Sequence, residues 1–220
     1  MSDRRRLQVI VGSTRPERAA DLVVPWVVRR AIDDGRFDVE LIDLRDWRLP
    51  MFQETFETVG DFGDPTFSQP IVRDWNRKLA EADAYVFVTT EYNHSVPGEL
   101  KNALDSVFVT YALRNKPAAM VGYSSGPLGA GRAIEHLALI ALEEEMVPLR
   151  NTVLVGRVLD AFNDEGNPYD EITDAAMTIT LDDLAWWVDI LTPARAAGEL
   201  PPGAFRMFVA TMALTDQRPI

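Results

Sequence analysis

Ala84-Tyr85-Val86-Phe87-Val88-Thr89, then Thr90-Glu91-Tyr92-Asn93-His94-Ser95-Val96-Pro97, then Gly98-Glu99-Leu100-Lys101-Asn102-Ala103-Leu104-Asp105, decide the fold. The first block is an unbroken apolar and β-branched run, the pattern of a strand buried on both faces of a parallel sheet. In the third, apolar side chains return at helical spacing at Leu100, Ala103 and Leu104, and a helix is expected from Gly98 to about Tyr111. Between them lies a polar, aromatic stretch, unusual for a plain connection. It offers backbone N–H groups, amides and hydroxyls at the height where a planar heterocycle edges in. The competing reading is a turn followed by a helix cap.

Working outward, the same alternation of short strands and longer helical segments repeats, as in a parallel α/β sheet. Strands are expected at Leu7–Val11, Asp38–Leu44, Ala84–Thr89, Pro117–Tyr123 and Leu149–Val155. Helices are expected at about Arg18–Asp34, with Pro25 kinking it or resetting its start, Ile71–Ala82, Gly98–Tyr111, Gly131–Glu145 and Ile172–Leu191. Residues 45–69, with Trp47, Met51, Phe52, Phe56, Phe62 and Phe67, read as a long surface loop, walling a ligand pocket or meeting a second subunit. Residues 193–220, with four prolines, read as an extension packed outside the core or onto a partner. The fold class is α/β, a flavodoxin-like three-layer sandwich with a five-stranded parallel sheet of order 2-1-3-4-5. The domain reading is a main unit over 1–192 and a C-terminal extension over 193–220. In such sheets ligands bind beyond the carboxyl ends of the strands near the switch in strand order, which brings the loops after strands one, three and four together.

A formal net charge of −12 argues against general binding to nucleic acid or anionic membranes, which draw on surplus Lys and Arg. A site for one anion needs only a few donors. The chain has no cysteine, which excludes disulfides, thiolate metal sites and cysteine nucleophiles. The basic first residues precede only a short strand-like run, unlike a signal peptide, and no apolar run approaches the ~18 residues of a membrane span. The expectation is a cytoplasmic protein with no nucleic-acid or membrane partner.

The loop after the first strand, Gly12-Ser13-Thr14-Arg15-Pro16-Glu17-Arg18, lies where free backbone N–H groups and a helix dipole favour an anion. Ser13 and Thr14 add hydroxyl donors, and Arg15 and Arg18 can each meet a phosphate. The same residues also read as a helix start with Thr14 and Glu17 as a capping box. The loop lacks the Gly-Lys-Ser/Thr nucleotide motif. The loop after the fourth strand, Ser124-Ser125-Gly126-Pro127-Leu128-Gly129-Ala130-Gly131-Arg132, permits close backbone approach to a ligand, or is a flexible connection. Glu143, Glu144 and Glu145 read as a solvated helix end, and Trp186-Trp187 as core or interface.

Together, and in this order, the three loops resemble the NADPH-dependent FMN reductase family, flavodoxin-like proteins that include quinone, azo-dye and chromate reductases. The resemblance runs from about Leu7 to Val155, and Glu91-Tyr92-Asn93-His94-Ser95 with Pro97-Gly98 and Leu100 through Asp105 is its most specific part. It implies FMN and a nicotinamide nucleotide, NADPH or NADH, as cofactors. Hydride would pass from the nucleotide to FMN and electrons on to a small acceptor such as a quinone, free flavin or azo compound. Ser13, Arg15 and Arg18, with the N–H groups of Ala19 and Ala20, would hold the FMN phosphate. Glu91, Tyr92 and Asn93 would border the isoalloxazine with Ser95 close by, and Ser124, Ser125 and Gly126 would close its far side. The resemblance also implies a homodimer or homotetramer, and calls for no catalytic acid or base and no metal. This chain has Thr90 where the family usually has Pro, and Pro127-Leu128 where it commonly has paired glycines. The alternative is an FMN-binding electron carrier or redox sensor acting through a protein partner.

Overall fold

The computed structural model describes residues 5–107 and 109–215. Five parallel strands, β1 (Arg5–Val11), β2 (Phe37–Asp43), β3 (Ala84–Thr90), β4 (Pro117–Tyr123) and β5 (Val147–Val155), lie in the order β2-β1-β3-β4-β5, as expected from the sequence. Val9 pairs with Val86 and Phe87 with Met120. Because strand side chains alternate between faces, Leu7, Val9, Val86 and Val88 face one layer, formed by α1 (Ala20–Asp34) and α6 (Glu171–Ala197). Ile10, Tyr85, Phe87 and Met120 face the other, formed by α3 (Pro70–Ala80), α4 (Gly98–Asp105) and α5 (Gly131–Glu143).

Several boundaries differ from expectation. α1 begins at Ala20 and runs through Pro25. A proline at that point removes only the bond to the Asp21 carbonyl, while Val23, Trp26, Val27 and Ala31 stay buried. α4 stops at Asp105, where the Ser106 hydroxyl and N–H both bond the Asn102 carbonyl, at 2.7 and 3.0 Å; the rest of the expected helix includes Phe108, outside the described residues. The expected loop 45–69 contains a short helix, α2 (Phe56–Val59), opened by a reciprocal Thr55–Thr58 capping box.

The largest revision is at the C-terminus. α6 continues through Pro193 to Ala197, held there by Arg195, which donates to the Asn115 carbonyl at 3.1 Å and to Asp83 at 2.8 Å. A further helix, α7 (Gly203–Thr215), follows; the last five residues of the chain, 216–220, lie outside the described residues. Glu145 is not solvated as the sequence suggests: it accepts from Gly203 N and from Arg114 Nε, each at 2.5 Å, and so anchors α7. Phe205 of α7 packs on Phe62 and Tyr111, with centroids 6.1 and 6.0 Å away. Trp187 packs against the core beneath α6 while Trp186 is exposed. Among the described residues no helix is long and apolar enough to cross a membrane.

One buried amine gives the fold a pH signature. Lys116, beside β4, donates to the Ala80 carbonyl at 3.0 Å and lies 3.3 Å from the Tyr85 hydroxyl. Burial, with Arg195 nearby, pushes it down to about 8, although Asp83 and Glu199 oppose the shift. The unfolded chain therefore binds this proton more tightly than the folded one between about pH 8 and the ordinary Lys value of ~10.4. In that window this group makes stability rise with pH, by up to about 1.4 kcal/mol per unit, and below it the contribution is flat. Urea unfolding across the window should show the rise, and Lys116→Met should remove it; an equal slope in the variant contradicts the assignment.

Candidate functional site

The three loops singled out from the sequence meet at the carboxyl ends of β1, β3 and β4. The first leaves β1 with Gly12 N donating to the Val88 carbonyl of β3 at 2.9 Å. Its shape is set by Arg18, whose side chain is only 4% exposed. The guanidinium donates from Nε to Asp21 at 2.9 Å, to both Asp43 oxygens at 2.8 and 2.5 Å, and to the Ser13 carbonyl. Burial alone would raise the Asp43 carboxyl, but the Arg18 bonds, helped by Arg45, hold it below the usual carboxylate range. Arg18 thus ties the loop to the ends of β2 and α1. The capping-box reading of Thr14 and Glu17 does not form: the helix cap is Ala19, with no side-chain bond, and Glu17 has a φ of 50°.

With Arg18 committed, Arg15 is the loop's cation that has no ion-pair partner among the described residues. It is exposed and sits 5.6 Å above the Tyr92 ring. Ser13 is buried and bonds the Tyr92 hydroxyl at 2.8 Å. Ala19 and Ala20 open α1, where the first N–H groups have no intrahelical acceptor. Ser13, Arg15, Arg18 and Ala19, with Tyr92, Tyr123, Ser124 and Ser125, surround a cavity of about 190 Å³. The Tyr123 hydroxyl is buried there with no partner of normal hydrogen-bond geometry among the described residues. A buried, unpaired hydroxyl costs about 1–3 kcal/mol, so a polar group entering the cavity would be favoured.

Past Tyr92 the space continues as a cavity of about 370 Å³ between Glu91, Ser124–Leu128 and Arg132. Its second-loop wall is a tight turn: Tyr92 and Ser95 exchange backbone bonds at 2.9 and 3.1 Å, with Asn93 and His94 at φ 49° and 71°. Two successive left-handed residues make a type I′ turn, which asparagine tolerates and histidine adopts at a cost. Side chains from α5 hold it. Arg132 pairs with Glu91 and donates to His94 Nε2 at 2.7 Å, and His136 Nδ1 lies 3.0 Å from the Ser95 hydroxyl. Arg132 holds the Glu91 carboxyl below its ordinary range despite burial. The third loop is fixed through its backbone. A Cβ on Gly122 would lie 2.3 Å from the Gly129 carbonyl oxygen, and one on Gly156 only 2.5 Å from that of Pro127. The Pro127-Leu128 insertion is therefore clamped against the end of β5.

Ser13, Arg15, Arg18, Ala19, Tyr92, Ser124 and Ser125 thus share one cavity, and Glu91 and Gly126 line its continuation. Ala20 is buried in the core, Asn93 faces a third cavity beyond Tyr92, and Ser95 turns its hydroxyl to His136. Sequence reasoning missed Tyr123, which reads as one more buried strand residue, and the Arg132 and His136 braces, which lie about 40 residues from their partners.

Comparison with known proteins identifies the family. The family model for NADPH-dependent FMN reductase matches residues 5–160. An NAD(P)H-dependent FMN reductase of Schizosaccharomyces pombe is 35% identical over 136 residues, covering 62% of this chain and 65% of that protein, just under two thirds of its length. A 2-hydroxy-1,4-benzoquinone reductase from a Burkholderia species is 28% identical over 187 residues, 83% of this chain and 96% of that protein. The structure of FerB, a flavoenzyme NAD(P)H:(acceptor) oxidoreductase of Paracoccus denitrificans, superimposes with a TM-score of 0.67 at 24% identity, over 85% of this chain and 98% of that one. A match over most of the chain, on the fold and loops described above, places the protein: it belongs to the NADPH-dependent FMN reductase family.

Proposed function

We propose that the protein is an FMN-dependent NAD(P)H oxidoreductase that passes electrons to a small acceptor such as a quinone, free flavin or azo compound. One observation carries the reading: the Arg15 guanidinium, the unpartnered Tyr123 hydroxyl and the open N-terminus of α1 converge on one polar cavity. That donor set fits the phosphate of FMN. FMN, when bound, supplies the chemistry, a ring that accepts hydride from a nicotinamide and hands electrons on.

The chain's own residues bind and position. Ser13, Arg15 and the N–H groups of Ala19 and Ala20 hold the phosphate, with Arg18 fixing the loop behind them. Glu91, Tyr92 and Asn93 border the isoalloxazine, Ser95 and His136 steady that turn, and Ser124, Ser125 and Gly126 close the far side. His94 accepts from Arg132, so its role is to hold the turn. Tyr123→Phe should raise the unfolding free energy of the flavin-free protein by about 1–3 kcal/mol, because a buried unpaired hydroxyl is removed. It should also weaken FMN by about 10-fold or more, the size of one hydrogen bond to a charged phosphate. Unchanged affinity in fluorescence-quenching titrations would remove Tyr123 from the site.

The protein works in the cytoplasm as a homodimer or homotetramer, with residues 1–192 as the FMN-binding domain and 193–220 as an extension serving association. On α7, Met207 is 69% and Phe208 63% exposed, apolar surface of the kind that association covers. FMN-loaded protein should oxidise NADH or NADPH one-for-one with quinone reduced. Protein that binds FMN but transfers nothing to quinones with either nucleotide supports the electron carrier instead.

A further inference from the structure

On the side of Tyr92 away from the phosphate cradle lies a cavity of about 760 Å³. Trp47, Leu49 and Met51 form its apolar wall; Tyr92 lines both this cavity and the site described above, and Asn93 and Thr14 of the first loop line it beside Tyr92. The wall is preformed. Asn102 of α4 accepts from Phe52 N at 2.7 Å and donates to the Pro50 carbonyl at 2.8 Å, and Trp47 packs edge-on against Trp75 at 5.0 Å. The long loop after β2 therefore divides: its first part walls this cavity, and Phe56 and Phe62 pack towards α7.

Two arginines stand at the rim. Arg45 is neutralised by Asp21 at 2.6 Å and Asp43 at 3.5 Å. Arg48 is exposed and, among the described residues, has no ion-pair partner. Glu99 also lines the cavity without pairing with it. In a chain of net charge −12, an uncommitted guanidinium lining the same cavity as an apolar wall is a recognition element for an anion carried on an apolar ring.

Resting on the oxidoreductase reading, we propose that this cavity is the electron-acceptor site and that Arg48 selects planar aromatic acceptors bearing an acidic substituent, such as a sulfonate or carboxylate. The ring lies along Trp47, Leu49 and Met51, and its anion meets Arg48. For a quinone the balance is two electrons and one proton from NAD(P)H and one proton from solvent, giving the hydroquinone and NAD(P)⁺.

The test compares 1,4-naphthoquinone-2-sulfonate with 1,4-naphthoquinone at saturating NADPH or NADH, using FMN-loaded wild type, Arg48→Ala and Arg48→Lys. The ratio of kcat/KM, sulfonate over neutral quinone, should fall about 10-fold in Arg48→Ala, as for one lost charge-assisted contact, and recover in part in Arg48→Lys. Calorimetry with naphthalene-2-sulfonate and 2-naphthol reads the same preference without turnover, and should lose it in Arg48→Ala. An unchanged ratio in both experiments overturns the proposal, as does a loss confined to the nicotinamide nucleotide. If wild type reduces neither quinone but the sulfonate preference in calorimetry disappears with Arg48, the oxidoreductase reading fails and the anion site stands; if that preference is absent as well, both fail.

Discussion

Replacing Arg15 with Ala is expected to weaken FMN binding by about 10- to 100-fold, the size of one or two charge-assisted hydrogen bonds to phosphate, with no change in unfolding free energy. Arg15 is exposed, and its contact in the structure is with the Tyr92 ring at 5.6 Å; surface substitutions of this kind usually move stability by under ~0.5 kcal/mol. Riboflavin, which lacks the phosphate, should bind wild type and variant alike. Fluorescence quenching with both flavins, beside a urea unfolding curve, makes the comparison. Equal losses for FMN and riboflavin would mean that Arg15 acts on the ring or the loop and not on phosphate.

Arg18→Ala should do the opposite and lower the unfolding free energy by about 3–5 kcal/mol, the cost of removing one partner from a buried pair. The loss includes the Asp43 bonds, the Asp21 bond and the clamp on the Ser13 carbonyl. Arg18→Lys should recover only part of this, because an ammonium cannot reproduce the forked contact with Asp43. FMN affinity falls as well in Arg18→Ala, for both flavins, since the loop loses its anchor. If stability were unchanged and only FMN binding fell, Arg18 would be a phosphate ligand, as the family resemblance suggests, and the anchoring role would be wrong.

This contrast marks where the sequence stops being informative. The alternation of short apolar runs with helical segments follows from the strand and helix periods, so strand order and the meeting of three loops were legible. Which arginine turns inward was not: Arg15 and Arg18 look alike in sequence, and Asp43, which decides between them, lies 25 residues away on β2. Helix ends set by distant contacts were likewise hidden. α6 passes Pro193 because Arg195 reaches Asn115 and Asp83, and α7 is anchored at its start by Glu145, 58 residues earlier in the chain. The polar, aromatic composition of residues 90–97 marks that stretch as unusual, but the turn at Asn93-His94 is not legible there, and its bracing by Arg132 and His136 exists only once α5 has packed beside it.

The most direct test of the central claim is an anaerobic visible spectrum of the protein mixed with FMN, recorded before and after adding NADPH and, separately, NADH. The account predicts a bound-flavin spectrum that bleaches rapidly with at least one nucleotide. FMN that fails to bind contradicts the cradle at the three strand ends, and FMN that binds but stays oxidised with both nucleotides contradicts the oxidoreductase.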